Sequence, residues 1–153
     1  MQVQHLLATQ AISLDHESQS KKRVLEHAAQ LLSGADAMDA EQIFARLVER
    51  ERLGSTGLAA GVALPHARLP GLTQSRATFI RLRQAVDFDS LDGQPVDLVF
   101  ALLVPEQATD EHLQLLASLA RVLRDDATCR QLRHTQDVLH TQQLLTRCMH
   151  CAP

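Results

Sequence analysis

With 153 residues, 45% of them hydrophobic, the chain has the length and apolar content of one globular domain with a full core, and it needs no second. It contains no Trp or Tyr and only 3% aromatic residues, so it offers no stacking platform for single-stranded nucleic acid or sugar rings. A formal net charge of −3 gives no general attraction to a phosphate backbone, and no nucleic-acid partner is expected.

In chain order, residues 1–10 carry little pattern. No charged segment leads into an apolar run with a cleavage site, and no span is long enough to cross a bilayer. A cytoplasmic protein without membrane insertion is therefore expected. Ala11-Ile12-Ser13-Leu14 alternates as a short strand. A helix is predicted from about Ser20 to Leu32, with Val24, Leu25, Ala28, Leu31 and Leu32 on one face and Gly34 as its stop signal. The next begins at Asp39, whose side chain caps the free amides while Gln42 returns the bond, and it buries Ile43, Phe44, Leu47 and Val48. It ends near Glu51 to Leu53 and so delivers Arg50 to a glycine loop, Gly54-Ser55-Thr56-Gly57. Val62-Ala63-Leu64 then reads as a buried strand that Pro65 ends, fixing the backbone beside His66.

After a turn at Pro70-Gly71, Ala77 to Arg83 alternates Thr78, Ile80 and Leu82 against Phe79 and the arginines, as a half-exposed strand does. Asp92-Gly93 is a turn, and Val96 to Val104 is apolar throughout after Asp97, as a central strand covered on both faces would be. Pro105 ends it. Helices are predicted at about 110–124, 127–133 and 136–147, with Thr109 capping the first and His112 in its first turn. The order is strand, two helices, three strands, three helices. That order suits an α/β domain with helices on both faces, and the short links between the last three strands imply antiparallel pairing, hence a mixed sheet.

His66 carries the chemistry. A histidine at the end of a buried strand, with a glycine loop before it and Arg68 after it, has the parts of an anion or phosphoryl site; a structural or solvated histidine is the alternative. The loop lacks the Gly-Lys-Ser/Thr ending of a nucleotide-binding P-loop. A basic patch of Lys21-Lys22-Arg23 and the arginines at 46, 50, 52, 68, 76, 81 and 83 surrounds this region, and most of these read as solvated faces. Three cysteines agree with a reducing compartment. Cys148-Met149-His150-Cys151 is formally a C-x-x-C, but it has no partner pair elsewhere and reads as part of a frayed tail, 148–153. His5, His16, His27, His134, His140 and His150 show no metal spacing, and no metal is expected.

The order Glu51, Leu58-Ala59, Val62-Ala63-Leu64-Pro65-His66-Ala67 resembles the active-site signature of the enzyme IIA domains of the fructose/mannitol class in the bacterial phosphoenolpyruvate-dependent phosphotransferase system. Arg50-Glu51-Arg52-Leu53-Gly54-Ser55-Thr56-Gly57, the run Gln94 to Pro105, and Cys129-Arg130-Gln131-Leu132-Arg133 are similar too, so the resemblance covers roughly residues 8–146. Within the class it is most like the nitrogen-regulatory enzyme IIA. The resemblance implies a three-layer α/β/α sandwich, with His66 as the phosphorylated nucleophile, His112 as a second active-site histidine and Arg50 holding the phosphoryl group. Ala67 stands where many members have Gly, and the Leu69-Pro70-Gly71-Leu72 turn departs from the pattern at the rim of the site.

On that reading, His66 attacks the phosphohistidine of an HPr-like phosphocarrier, and amides and hydroxyls of Gly54, Ser55, Thr56 and Gly57 complete a phosphate cradle. Because the donor is already activated, no cofactor is needed. Two roles remain open. One is a regulator whose affinity for target proteins, such as potassium-transport or sensor-kinase proteins, depends on phosphorylation. The other is a sugar-specific enzyme IIA that passes the group to a sugar-transporting enzyme IIB. A family member that binds partners without being phosphorylated is a third option. The sequence leaves open which ring nitrogen of His66 reacts.

Overall fold

The computed structural model describes residues 6–34, 39–107 and 110–151, without the side chains of Thr9, Glu111 and 148–151. A 3-10 turn at Thr9–Ala11 leads into β1 (Ile12–His16), followed by α1 (Lys21–Ser33) and α2 (Ala40–Arg52). Four strands come next: β2 (Val62–Ala63), β3 (His66–Leu69), β4 (Arg76–Val86) and β5 (Val96–Pro105). Three helices close the chain: α3 (Asp110–Leu123), α4 (Asp126–His134) and α5 (Val138–Cys151). The expected cap of α3, Thr109, lies outside the described residues, as does His5. The backbone of residues 148–151 continues α5, while the side chains of Cys148, His150 and Cys151 are likewise outside the description.

Helix starts follow the local chemistry. The Ser20 side chain accepts from the Arg23 amide, and Asp39 accepts from the amides of Glu41 and Gln42. Asp125 caps α4 by accepting from the Thr128 amide at 3.0 Å and from its hydroxyl at 2.6 Å. Each supplies a partner to donors that a helix N-terminus leaves unpaired.

The sheet is mixed. β1 pairs parallel with β4, β4 antiparallel with β5, and both β2 and β3 parallel with the other side of β5. Along β5 the side chains alternate between two cores. Leu98, Phe100, Leu102 and Val104 pack with Leu115 and Leu119 of α3, Leu132 of α4 and Leu144 of α5. Val99, Ala101 and Leu103 pack with Val24 and Ala28 of α1 and Ile43 and Leu47 of α2. This is the three-layer α/β/α arrangement, with β5 buried on both faces.

Two expectations need correction. The strand expected at Val62–Leu64 is longer and interrupted, so the sheet has five strands. Pro65, which has no N–H, interrupts the ladder but still accepts from the Leu102 amide at 2.9 Å, and Leu64, facing away from β5, donates its amide to the Thr56 carbonyl at 3.0 Å. Pairing with β5 resumes at His66 in the same register, Val62 opposite Leu98 and His66 opposite Leu102.

The second correction concerns β4, which is buried on both faces from Ala77 to Leu82 rather than half exposed. Arg81 is only 4% exposed. Its guanidinium donates to the Leu132 carbonyl at 3.0 Å, to the Thr135 carbonyl, and to Asp15 at 3.3 Å. The C-terminal carbonyls of α4 carry partial negative charge, which offsets the cost of burying the cation.

A second arginine fastens α4 to the sheet. Arg133 grips the Asp97 carboxylate with Nε at 2.9 Å and Nη2 at 2.9 Å, and Nη2 also donates to the Ala60 carbonyl at 2.7 Å. Gly61 must stay bare beside this clamp. A Cβ there would lie 2.8 Å from Arg133 Nη2 and 3.1 Å from Asp97 Oδ1, on a backbone with φ +84°. Gly71 has nearly the same φ, +83°, with nothing within 4 Å. Gly71→Ala is expected to cost about 1 kcal/mol from φ alone, and Gly61→Ala ~2–4 kcal/mol because the clamp must also shift. Urea unfolding of both variants checks this; equal losses would remove the clamp from the account.

At the far edge of the sheet His16 and His27 stack with ring centroids 3.7 Å apart and planes 4° from parallel. Burial pushes both below the ordinary histidine value, the nearby Glu17 charge opposing this for His16 and the His16 charge adding to it for His27. A depressed histidine binds fewer protons folded than unfolded, so its contribution is complete above the unfolded value of 6.5 and is lost as pH falls. The unfolding free energy is expected to decline between about pH 7 and pH 5, and less steeply in His27→Gln. Chemical denaturation at each pH measures both slopes.

Candidate active site

Helix α2 buries Ile43 and Leu47, which sends Arg46 and Arg50, one turn apart, along its flank toward the edge of the sheet. Arg50 Nη1 donates to the Gly54 carbonyl at 2.9 Å, and its Nε donates to His66 Nε2 at 3.4 Å. His66 opens β3 directly after the break at Leu64-Pro65. Because the Leu64 carbonyl stands outside the ladder, it accepts from His66 Nδ1 at 2.9 Å. The two contacts assign the tautomer: Nδ1 faces an acceptor and carries the proton, while Nε2 faces a donor and keeps its lone pair.

Behind these groups lies a buried carboxylate. The Glu51 side chain is 6% exposed and pairs with Lys21 Nζ at 2.6 Å. It also accepts from the Thr56 amide, at 3.1 and 3.3 Å to its two oxygens, and from the Thr56 hydroxyl. Lys21 in turn donates to the Phe88 carbonyl at 3.3 Å and lies 5.1 Å from the Phe88 ring centre. Thr56 then takes the Leu64 amide on its carbonyl. An unbroken chain of contacts therefore runs from Lys21 through Glu51, Thr56 and Leu64 to the His66 ring.

Arg50, His66 and His112 line one cleft of about 390 Å³, floored by Ala67, Val104 and Leu116. The topology explains the meeting: β3 and β5 run parallel and adjacent, and α3 starts just after β5, which brings His112 in its first turn to the end of the sheet where His66 stands. The glycine loop is differently employed. Gly54, Ser55, Thr56 and Gly57 do not line the cleft. The Ser55 hydroxyl donates to the Phe88 carbonyl at 2.7 Å, the Gly57 amide donates to Ser55 Oγ, and the Gly54 amide donates to the Glu51 carbonyl. With the Thr56 donors held by Glu51, the Gly54, Thr56 and Gly57 amides and both hydroxyls expected to form a phosphate cradle have partners inside the loop and its supports.

The role of Lys21 was hidden in the sequence, where it stands in a basic run typical of a solvated helix start. Arg46 was more accessible to reasoning, since it precedes Arg50 by one helical turn. Among the described residues no group of three or more His, Cys, Asp or Glu is placed to hold a metal ion. No helix among them is long and apolar enough to cross a membrane.

A family model described as "Phosphoenolpyruvate-dependent sugar phosphotransferase system, EIIA 2" matches residues 5–148. The chain belongs to that family. A nitrogen regulatory protein of Pseudomonas aeruginosa is 53% identical over 105 residues, 68% of each chain. One from Bradyrhizobium diazoefficiens is 42% identical over 137 residues, 90% of each. The crystal structure of the nitrogen regulatory protein IIA-Ntr from Neisseria meningitidis matches with a TM-score of 0.87 at 42% identity, covering 92% of this chain and 96% of that one. The EIIA fold and the similarity to nitrogen regulatory proteins agree with the fold and resemblance expected from the sequence.

Electrostatics in this EIIA cleft favour an uncharged His66. Burial is the largest cause of its lowered pKa and the Arg50 charge adds to it, while the Leu64 carbonyl and Glu51 pull the other way. The ring of His66 is expected to titrate below 6.5 by NMR, and the midpoint should rise in Arg50→Ala as the guanidinium charge is removed. A midpoint unmoved by that substitution would separate Arg50 from the ring in solution.

Proposed function

We propose that this protein is a cytoplasmic phosphoryl carrier of the nitrogen-related phosphotransferase system, loaded on His66 Nε2 by an HPr-like phosphocarrier, and that loading sets its affinity for regulatory target proteins. One observation carries the reading. The Leu64 carbonyl holds the proton on Nδ1, leaving the Nε2 lone pair beside the Arg50 guanidinium in a cleft shared with His112.

The chemistry follows from that geometry. The Nε2 lone pair attacks phosphorus in line, the donor's N–P bond breaks, and its electron pair returns to the donor histidine. His66 keeps its Nδ1 proton, so positive charge develops on the ring as the new N–P bond forms, and the Leu64 carbonyl stabilises it. Arg50 moves its Nε–H from the lone pair to an equatorial phosphoryl oxygen, and His112 donates to another. Gly54, Ser55, Thr56 and Gly57 act in support: the Gly54 carbonyl aims Arg50, and Thr56 holds Leu64. The group already has a high transfer potential on the donor, so neither metal nor nucleotide enters the step.

Regulation is favoured over sugar uptake by the names of the relatives, which are nitrogen regulatory proteins. A doubly charged group placed on the cleft changes what the surface can bind, which gives the switch its physical basis. Targets of the potassium-transport or sensor-kinase kind are the class to examine.

Incubation with phosphoenolpyruvate, enzyme I and the HPr-like carrier should add one acid-labile phosphoryl group by intact mass, and none to His66→Ala. Arg50→Ala should slow loading about a hundredfold or more, and His112→Ala should slow it while leaving the site of attachment unchanged. No mass gain in the parent with either a sugar-type or a nitrogen-type carrier would sink the relay and leave a binding protein.

A further inference from the structure

We propose that Lys21 is a positioning residue for phosphoryl transfer: by holding the buried Glu51 carboxylate against Thr56 it fixes Leu64, whose carbonyl keeps the His66 proton on Nδ1. This rests on the carrier reading above and adds to it a residue that does not line the cleft.

Lys21 stands where its own helix does not favour it. It is the first residue of α1, no acidic residue shares that first turn, and the unpaired amides there carry partial positive charge that disfavours a further cation. What holds it is remote in sequence. An ammonium group has three N–H donors, and three oxygens surround this one: Glu51 Oε2 at 2.6 Å, the Phe88 carbonyl at 3.3 Å and Asp89 Oδ2 at 3.5 Å. Of the two carboxylates, Asp89 is 76% exposed and screened by water, whereas Glu51 is 6% exposed and depends on the pair. Apolar residues of the same volume often serve stability as well as a buried ion pair does. Stability alone is therefore a poor reason for this one, and its connections supply a better one.

From Glu51 the contacts lead to one place. Its oxygens accept from the Thr56 amide at 3.1 and 3.3 Å and from the Thr56 hydroxyl, and the Thr56 carbonyl accepts from the Leu64 amide at 3.0 Å. Just beyond Leu64, the sheet holds Pro65 through the Leu102 amide at 2.9 Å. Between these two anchors lies the Leu64 carbonyl, 2.9 Å from His66 Nδ1. One anchor belongs to the sheet. The other is as firm as the seat of Glu51, and Lys21 supplies the charge that keeps Glu51 seated. A displaced Leu64 carbonyl releases the proton to either ring nitrogen, with Arg50 Nε, 3.4 Å from Nε2, left as the weaker bias. A ring that carries the proton on Nε2 has no lone pair there to attack phosphorus.

Two double variants test this without stranding a buried charge. Lys21→Met with Glu51→Gln removes both charges and keeps an acceptor for Thr56; Lys21→Met with Glu51→Leu removes the acceptor as well. Both lose the Glu51 charge, so the difference between them isolates the anchor. Ring-nitrogen NMR shifts of unphosphorylated His66, at a pH where the ring is neutral, should show the Nδ1–H tautomer in the parent and the Gln double variant, and a mixture in the Leu double variant. Transfer from the phosphorylated HPr-like carrier should keep kcat within about threefold of the parent in the Gln double variant and lose about fivefold or more in the Leu double variant, with KM unchanged, because the reactive fraction of rings sets the rate. Lys21→Met alone should resemble the Leu double variant and be rescued by adding Glu51→Gln; if it fails to fold, the two double variants decide. A Leu double variant with the parent's tautomer and kcat, a Gln double variant as impaired as the Leu one, a folded Lys21→Met that transfers like the parent, or an effect confined to KM overturns the proposal. If the parent accepts no phosphoryl group, the carrier reading fails by itself, and the ring-nitrogen shifts alone decide whether Lys21 positions the ring.

Discussion

The Glu51 carboxylate is the contact on which the site depends. It is withdrawn from water at the end of α2, and a buried charge of that kind is tolerated only when it is paired and hydrogen-bonded. Lys21 supplies the opposite charge and Thr56 supplies two donors, so one side chain fixes the start of α1, the end of α2 and the glycine loop together. Everything nearer the chemistry inherits its position from this. The loop presents the Gly54 carbonyl to Arg50 and the Thr56 carbonyl to Leu64. Removing Lys21 alone would leave Glu51 an uncompensated buried charge behind the cleft and disturb the residues that face it.

The interruption between β2 and β3 is the second constraint. In this register alternate residues of the edge strand bond β5, through the Gly61 and Pro65 carbonyls, so Leu64 between them faces away from the ladder and its carbonyl is open to the His66 ring. Pro65 withholds only its missing N–H from the ladder while the register is kept, so the strand stays paired on either side of the carbonyl that holds the ring. The pairing of β3 with β5 then sets His66 beside the entry to α3, and so beside His112. The fold thus brings together residues from α2, β3 and α3 through pairings that the two hydrophobic cores enforce.

Much of this could be read in the sequence. The buried run Val96 to Val104, the capped start at Asp39 and the alternation of helices with a block of strands led to a mixed α/β sheet, and the Pro65-His66 pair after a glycine loop led to His66; the family resemblance added Arg50 and His112, which line the same cleft. What could not be read depended on contacts between segments distant in the chain. Arg81 looked solvent-facing because its acceptors, the Leu132 and Thr135 carbonyls, lie at the end of a helix more than fifty residues away. The glycine loop looked like a cradle because its composition permits one. The amides of Gly54, Thr56 and Gly57 and both hydroxyls turn out to be held by Glu51, Phe88 and Ser55, and composition does not reveal who holds a donor. Five strands appeared in place of four because the four-residue β3 carries His66 and Arg68 and has no apolar alternation beyond Ala67 and Leu69.

The proton on the His66 ring is held by the main chain. Where a carboxylate side chain does this work, a single substitution abolishes the tautomer; here no change of side chain at position 64 can, so long as the backbone keeps its path. The lone pair left on Nε2 is therefore insulated from mutation at its nearest neighbour and exposed to mutation at Pro65, Thr56 and Glu51, which shape that path. Loss of function at such positions would look like a defect of folding or of loops, although what has failed is the placement of one hydrogen atom.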